Sequence, residues 1–208
     1  MKNAAKYSDV IRGLFRWLLK EGKPQPAQKM DPLRALVRGA MSYDVCDTRA
    51  DEAMRCIERE FVNLNELRVA TELEVQELLG VKYPEIEKRV GMITGCLNAI
   101  FEREHTLSLD RLKTVSKKDA RQFIRELPMM HPFVEAYVMI YGFEGTAVPV
   151  DDEMLGYLRS EGAFEEKTTL EEAQRFIEQH VKIEEWYDFF MCIRRAVYCE
   201  VARKKKAK

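Results

Sequence analysis

Three acids in a row, Asp151-Asp152-Glu153, follow the segment Val148-Pro149-Val150. Asp151 or Asp152 is placed to cap the short helix expected after Pro149, its carboxylate accepting from amides that have no partner in the first turn. Such a cluster also repels phosphate. The three histidines, His105, His131 and His180, are scattered, with no H-x-x-x-H spacing to gather a metal. The five cysteines, Cys46, Cys56, Cys96, Cys192 and Cys199, form no C-x-x-C pair. Their odd count and wide spacing indicate neither a disulfide framework nor a zinc site. Cys192 and Cys199 are seven apart on one helical face and read as buried thiols. Neither G-x-x-x-x-G-K nor G-x-G-x-x-G is present to cradle a phosphate.

The elements that would position these groups read as helices almost throughout. Ser8 is placed to cap a first helix with Ile11, Leu14, Phe15 and Leu18 on one face, and Gly22 stops it. Asp31-Pro32 opens a second helix, Asp at the cap and Pro in the first turn. A third starts at Asp47 or Thr48, with Ala53, Ile57 and Phe61 at spacings of four. Thr71 and Glu74 make a capping box ahead of Val75, Leu78 and Leu79, closed by Gly80. Pro84 opens a long helix carrying Ile86, Val90, Ile93, Leu97 and Ile100. Leu107 to Leu112 reads as a short turn. Ser116 caps a helix that Pro128 breaks. Pro132 starts another, ending at Gly142. Thr169 and Glu172 make a second capping box, and a last helix runs from about Glu184. No period-two alternation bounded by hairpin turns appears, so the fold class expected is all-α. Trp17, Trp186 and Tyr187 lie on helical stripes and read as core.

One stretch is more specific. A helix, Leu127-Pro128-Met129-Met130-His131, a second helix, Gly142-Phe143-Glu144-Gly145 and then Val148-Pro149-Val150-Asp151 follow in that order. This resembles the helix-hairpin-helix and Gly/Pro/Asp motif of the endonuclease III superfamily of DNA glycosylases, whose hairpin reads L-P-G-V-G-x-K-T-A and whose later loop ends V-D-T-H. Three further segments match. Leu107-Ser108-Leu109-Asp110-Arg111-Leu112 looks like that family's approach to the hairpin. Leu36 to Asp47 is similar to its L-x-x-x-I-L-S-Q-x-T-x-D, with Ser42 and Asp47 on matching positions. Arg194-Arg195-Ala196-Val197-Tyr198-Cys199 resembles its h-G-R-x-x-C. The likeness spans roughly residues 31 to 199.

The resemblance implies a fold of two helical lobes. A six-helix barrel lobe would take residues 32–143, with the hairpin at 127–133. A second lobe would combine residues 1–31 and 144–208. Asp151 would stand at the mouth of the cleft between them, with Met129 to Phe133 on one wall. It also implies a DNA base-excision-repair function. Asp151 matches the catalytic carboxylate, which stabilises positive charge on the sugar or activates water. Beside this stands its reading as a helix cap.

Departures from the pattern limit the chemistry. Met129 and His131 replace the hairpin glycines, so a retained left-handed backbone costs on the order of 1 kcal/mol or more at each; the hairpin is expected to take another conformation or to bind phosphate weakly. Phe133 replaces the lysine nucleophile and cannot form a Schiff base, which excludes lyase chemistry by that route. Tyr43 replaces a glutamine near the intercalation region; it could stack on bases or serve as packing. Asp152 and Glu153 stand where threonine and histidine usually follow. Cys199 aligns with the first ligand of the C-x6-C-x2-C-x5-C iron-sulfur site, but no further cysteine follows it, so no cluster and no other cofactor is expected.

The formal net charge of −1 gives no global case for nucleic acid binding. The basic run Arg203-Lys204-Lys205-Lys206 could touch phosphates or be a solvated end. No apolar stretch approaches the roughly 20 residues of a membrane span, and the polar N-terminus is unlike a signal peptide; a cytoplasmic monomer is expected. The partner expected is double-stranded DNA, contacted through Met129, His131, Phe133, Tyr43 and Ser42. At most the protein is a monofunctional glycosylase using Asp151. The alternative is a catalytically inactive module that binds DNA structure or a protein partner, to which the apolar Met-Met-His-Pro-Phe surface is suited.

Overall fold

The computed structural model describes residues 4–80, 82–144 and 147–198. Among these, eleven α-helices and two short 3₁₀ turns make up the regular structure, and no strand is present. The helices are α1 (Ala4–Glu21), α2 (Pro32–Ser42), α3 (Asp47–Glu60), α4 (Leu64–Val69), α5 (Glu72–Leu79), α6 (Ile86–Glu104), α7 (Lys117–Arg125), α8 (Pro132–Gly142), α9 (Asp152–Ser160), α10 (Leu170–His180) and α11 (Trp186–Tyr198). The chain divides into two compact units, residues 29–144 and residues 1–28 with 145–208.

Local chemistry sets most helix ends. Asp31 accepts from the amides of Leu33 and Arg34, with Pro32 in the first turn of α2. Thr71 with Glu74 and Thr169 with Glu172 close reciprocal capping boxes on α5 and α10. Ser116 accepts from Asp119 N–H at 3.1 Å. Each of these caps satisfies amides that the helix leaves open.

Three sequence expectations shift. Ser8 does not cap α1, which is already formed at Ala4; its buried hydroxyl accepts from Arg12 instead. Pro84 does not open α6. The helix begins at Ile86, preceded by Glu85 in the left-handed region. The six-residue α4 is an addition, capped by Asn63, which accepts from Asn65 and Glu66.

In the 29–144 unit, α2 lies against α8 at a contact that glycine permits. A Cβ on Gly39 would come within 3.1–3.2 Å of the Tyr137 side chain. Gly142 does the same at the other end, where an added Cβ would stand 3.0 Å from the Pro32 backbone. Leu36, Val37 and Ala40 of α2 and Val134, Val138 and Ile140 of α8 are all buried. Glu135, buried on α8, binds Arg121 at 2.6 Å and Arg125 at 2.9 Å and so ties α7 to α8.

In the other unit, Phe15 of α1 packs edge-on against Phe189 of α11, ring centroids 5.5 Å apart. Arg195 extends the same contact, donating to the carbonyls of Leu18 and Gly22. No helix among the described residues is long and apolar enough to cross a membrane.

Candidate functional site

The hairpin between α7 and α8 is a tight turn. Met130 N–H donates to the Leu127 carbonyl at 3.3 Å, and Met129 between them has φ 54°. The left-handed backbone is therefore kept without a glycine, against the expected change of conformation at this position. A non-glycine residue there carries a steric cost of about 1 kcal/mol. The surroundings hold it in place: Leu127 is buried, and the Cys96 thiol reaches the Pro128 carbonyl at 3.2 Å. Burial pushes that thiol up to about 12, so it stays protonated and able to donate. The Met129 side chain itself is 63% exposed at the tip.

His131 does not follow Met129 into the left-handed region. It has φ −84° and caps α8, its Nδ1 accepting from Phe133 N–H at 3.2 Å. That bond needs Nδ1 without its proton. The imidazole stacks on Tyr43, centroids 4.5 Å apart and planes 9° apart. Tyr43 is buried, and the Arg89 guanidinium lies 3.6 Å over its ring. Desolvation is the main reason that the Tyr43 hydroxyl is raised above its ordinary range, and Arg89 opposes it.

Arg89 was not singled out by the sequence. It is 1% exposed and donates to the carbonyls of Pro84, Ala40 and Tyr43 at 2.6, 2.6 and 2.8 Å. These are the open carbonyls where α2 ends and α6 begins, and a guanidinium presents donors in the fan that such a set needs. A signal was present: Arg89 falls three residues after Ile86 and four before Ile93, on the apolar face of α6.

The other predicted contact residues lie inside the core. Phe133 is fully buried, its ring 5.7 Å from that of Tyr137. Ser42 is fully buried and donates to the Arg38 carbonyl at 2.7 Å. Of the five residues expected to face DNA, Met129 is exposed, His131 is half-buried, and Tyr43, Phe133 and Ser42 are buried.

Asp151 belongs to the other unit and is 0% exposed. Its Oδ1 accepts from Met154 N–H at 2.8 Å, the capping bond of α9. Its Oδ2 accepts from the Tyr198 hydroxyl at 3.0 Å and lies 3.4 Å from Nη1 of Arg194, itself 1% exposed. Both oxygens are thus held by hydrogen-bond donors from α9 and α11. Asp152 and Glu153, the next two residues, are exposed.

Among the described residues no group of three or more His, Cys, Asp or Glu side chains is arranged to hold a metal ion. Cys199 and the basic run at 203–206 lie outside the described residues. Cys192 is buried, which raises its thiol to about 11.

No protein-family model matches the sequence, and no curated protein matches it significantly. Solved structures do match. Endonuclease III in a trapped covalent intermediate with DNA has 11% identity and a TM-score of 0.70, over 94% of this chain and 86% of that one. An 8-oxoguanine glycosylase/lyase of Clostridium acetobutylicum in complex with double-stranded DNA has 14% identity and a TM-score of 0.72, over 96% of this chain and 71% of that one. The 3-methyladenine DNA glycosylase MagIII of H. pylori, bound to 1,N6-ethenoadenine, has 14% identity and a TM-score of 0.66, over 97% and 98%. At these identities the likeness is one of architecture, and it covers nearly the whole chain: the protein has the helix-hairpin-helix fold of the endonuclease III superfamily.

Proposed function

We propose that the protein is a DNA-recognition protein of the base-excision-repair type, and that the Leu127–His131 hairpin is its contact with the duplex. The observation that carries this reading is the left-handed Met129 backbone, retained at φ 54° although no glycine is there to make it easy. A strained turn kept at the exposed junction of two helices fits a local backbone shape that serves recognition. It is the shape in which successive amides can face a phosphate oxygen. The solved structures of similar fold include complexes with DNA. Arg125, just ahead of the hairpin, keeps 56% of its side chain exposed while it binds Glu135. Schiff-base lyase chemistry is not part of the proposal, since Phe133 occupies the position that the resemblance gives to the lysine.

The proposal is recognition without excision by Asp151. That carboxylate is enclosed, capping α9 and paired with Arg194 and Tyr198, and gives no surface to solvent. A second reading, a monofunctional glycosylase with Asp151 as its carboxylate, is favoured by one observation. Asp151 keeps its charge-stabilising partners and sits at the start of a helix straight after Pro149, the place that the resemblance assigns to the catalytic aspartate.

Fluorescence anisotropy with intact, mismatched and abasic duplexes, over a series of salt concentrations, tests the reading. Saturable binding that weakens with salt and is lost in Met129→Glu is expected. Flat curves at low salt would remove DNA as the ligand and leave a protein partner. Release of any base from a lesion panel, lost in Asp151→Asn, would replace recognition by the second reading.

A further inference from the structure

α7 and α8 meet at the hairpin, and their other ends frame a recess. Lys117 opens α7, while Tyr141 and Gly142 close α8, so the eleven residues of α8, about 16 Å of helix, separate this region from Pro132. The cavity measures about 420 Å³. That lies in the range of about 300–1,000 Å³ typical of small-molecule sites. Its apolar lining includes Leu112, Tyr141 and Phe143, and three lysines, Lys29, Lys113 and Lys117, join the lining with a single acid, Glu144.

Backbone contacts shape this recess. Met30 N–H donates to the Tyr141 carbonyl at 3.1 Å and fixes the segment that carries Lys29. Gly142 allows the Pro32 backbone to close in beside it. Phe143, buried, donates its amide to the Met139 carbonyl. The lysines are held to exposed partners: Lys29 pairs with the Glu144 carboxylate, Lys113 with Asp110 at 2.5 Å, and Lys117 donates to the Glu144 carbonyl at 3.3 Å. Lys29, Glu144 and Asp110 are 82%, 63% and 72% exposed at their side chains, so these pairs are solvated and exchangeable.

We propose that this recess binds a terminal phosphomonoester carried on a flat, largely apolar body, with the phosphate among the three ammonium groups and the base against Leu112, Tyr141 and Phe143. A nucleoside monophosphate has this chemistry, as does the 5′-phosphorylated end of a strand. Lysine heads supply point charges for a dianion, and the apolar lining gains nothing from inorganic phosphate alone. The site is separate from the hairpin and does not rest on the function proposed above.

Isothermal titration of the full chain with thymidine monophosphate, thymidine and inorganic phosphate tests it. Saturable binding of the monophosphate is expected, with thymidine and phosphate each weaker by about tenfold or more, the loss of charge-assisted contacts. The double variant Lys113→Glu, Lys117→Glu should lose the monophosphate by at least about tenfold with its far-UV circular dichroism unchanged and its thermal midpoint lowered only by the loss of the exposed Lys113–Asp110 pair. Lys117→Gln should show an intermediate loss. Competition between the free monophosphate and 5′-phosphorylated or 5′-hydroxyl oligonucleotides names the source. Absence of saturable monophosphate binding, equal binding of thymidine, equal binding of phosphate, or affinity untouched in the double variant would each overturn the assignment. Duplex binding of the double variant, read in the same preparation, separates this outcome from a failure of the hairpin reading.

Discussion

Tyr43 and His131 stack face to face, ring centroids 4.5 Å apart and 9° from parallel, and so join the end of α2 to the start of α8. With Arg89 over the Tyr43 ring and bonded to three carbonyls, they form a column that reaches from the buried junction of α2 and α6 to the hairpin. The column gives Tyr43 a packing role in holding the turn. Tyr43→Phe keeps the ring and should change stability by less than about 1 kcal/mol. Tyr43→Ala removes a buried aromatic and should cost about 3–5 kcal/mol, read by urea denaturation. Equal DNA affinity of wild type and Tyr43→Phe, with weaker binding by His131→Ala, would locate the effect in the stack; a loss in Tyr43→Phe would give the hydroxyl a direct role instead.

Met129 carries the backbone strain of the hairpin. Met129→Gly relieves the left-handed cost, on the order of 1 kcal/mol, and adds unfolded-state freedom of similar size. The net change in stability should therefore be small. Affinity for duplex DNA should rise, because removing a 63% exposed side chain lets a phosphate approach the turn amides. Anisotropy titration of the two proteins side by side checks this. Weaker binding by the glycine variant would show that the methionine side chain, rather than the backbone, makes the contact.

Asp151 makes a prediction that a purely catalytic group would not. Its carboxylate and Arg194 are 0% and 1% exposed at the side chain, and breaking a buried pair from one side costs about 3–5 kcal/mol. The 3.4 Å separation is long, the Met154 amide keeps an oxygen in Asn, and the Tyr198 hydroxyl can turn to accept from the new side-chain NH2, so Asp151→Asn should lie near the lower end of that range. Chemical denaturation of the variant measures it. A stability equal to or above wild type would free Asp151 from its structural duty and strengthen the excision reading.

The sequence shows the helix ends most plainly, because a cap is a local event. Asp31-Pro32, the two capping boxes and Ser116 all act within three or four residues of themselves, and all stand where expected. Pro128 and Pro132 likewise bracket the hairpin. The length of α4 explains why it was missed: six residues are too few to repeat an apolar stripe. Ser8 misled because a serine ahead of an apolar face looks the same whether it caps or is carried inside a helix. The charged groups of the core were hidden for another reason. Arg89 is stable inside only because carbonyls from residues 40, 43 and 84 converge on it, and Arg194 because Asp151 arrives from 43 residues away. Spacing along the chain carries no trace of such meetings. The expected roles of Ser42 and Phe133 came from the resemblance, and burial of both follows from the α2 and α8 faces that carry them.

Acid should weaken the fold through its surface carboxylates. Glu104 is held below its ordinary value of 4.5 first by hydrogen bonds from Arg111, at 2.6 and 2.7 Å. Asp110 is lowered by Lys113, Glu144 by Lys29, Glu85 by Lys88 and Glu74 by the Thr71 amide. In each case the folded state prefers the charged form, so the unfolded chain binds protons first as pH falls. The stabilisation is complete above the unfolded values and drains away as pH drops through the usual carboxylate range toward the lowered ones. A thermal midpoint that is nearly flat from about pH 7 to pH 5 and declines below about 4.5 is expected. Glu104→Gln should start lower at pH 7 and decline less steeply in acid, so that the two curves draw together as Glu104 is protonated. Parallel curves for the two proteins would mean that the Glu104–Arg111 pair, exposed on its arginine side, contributes nothing to stability.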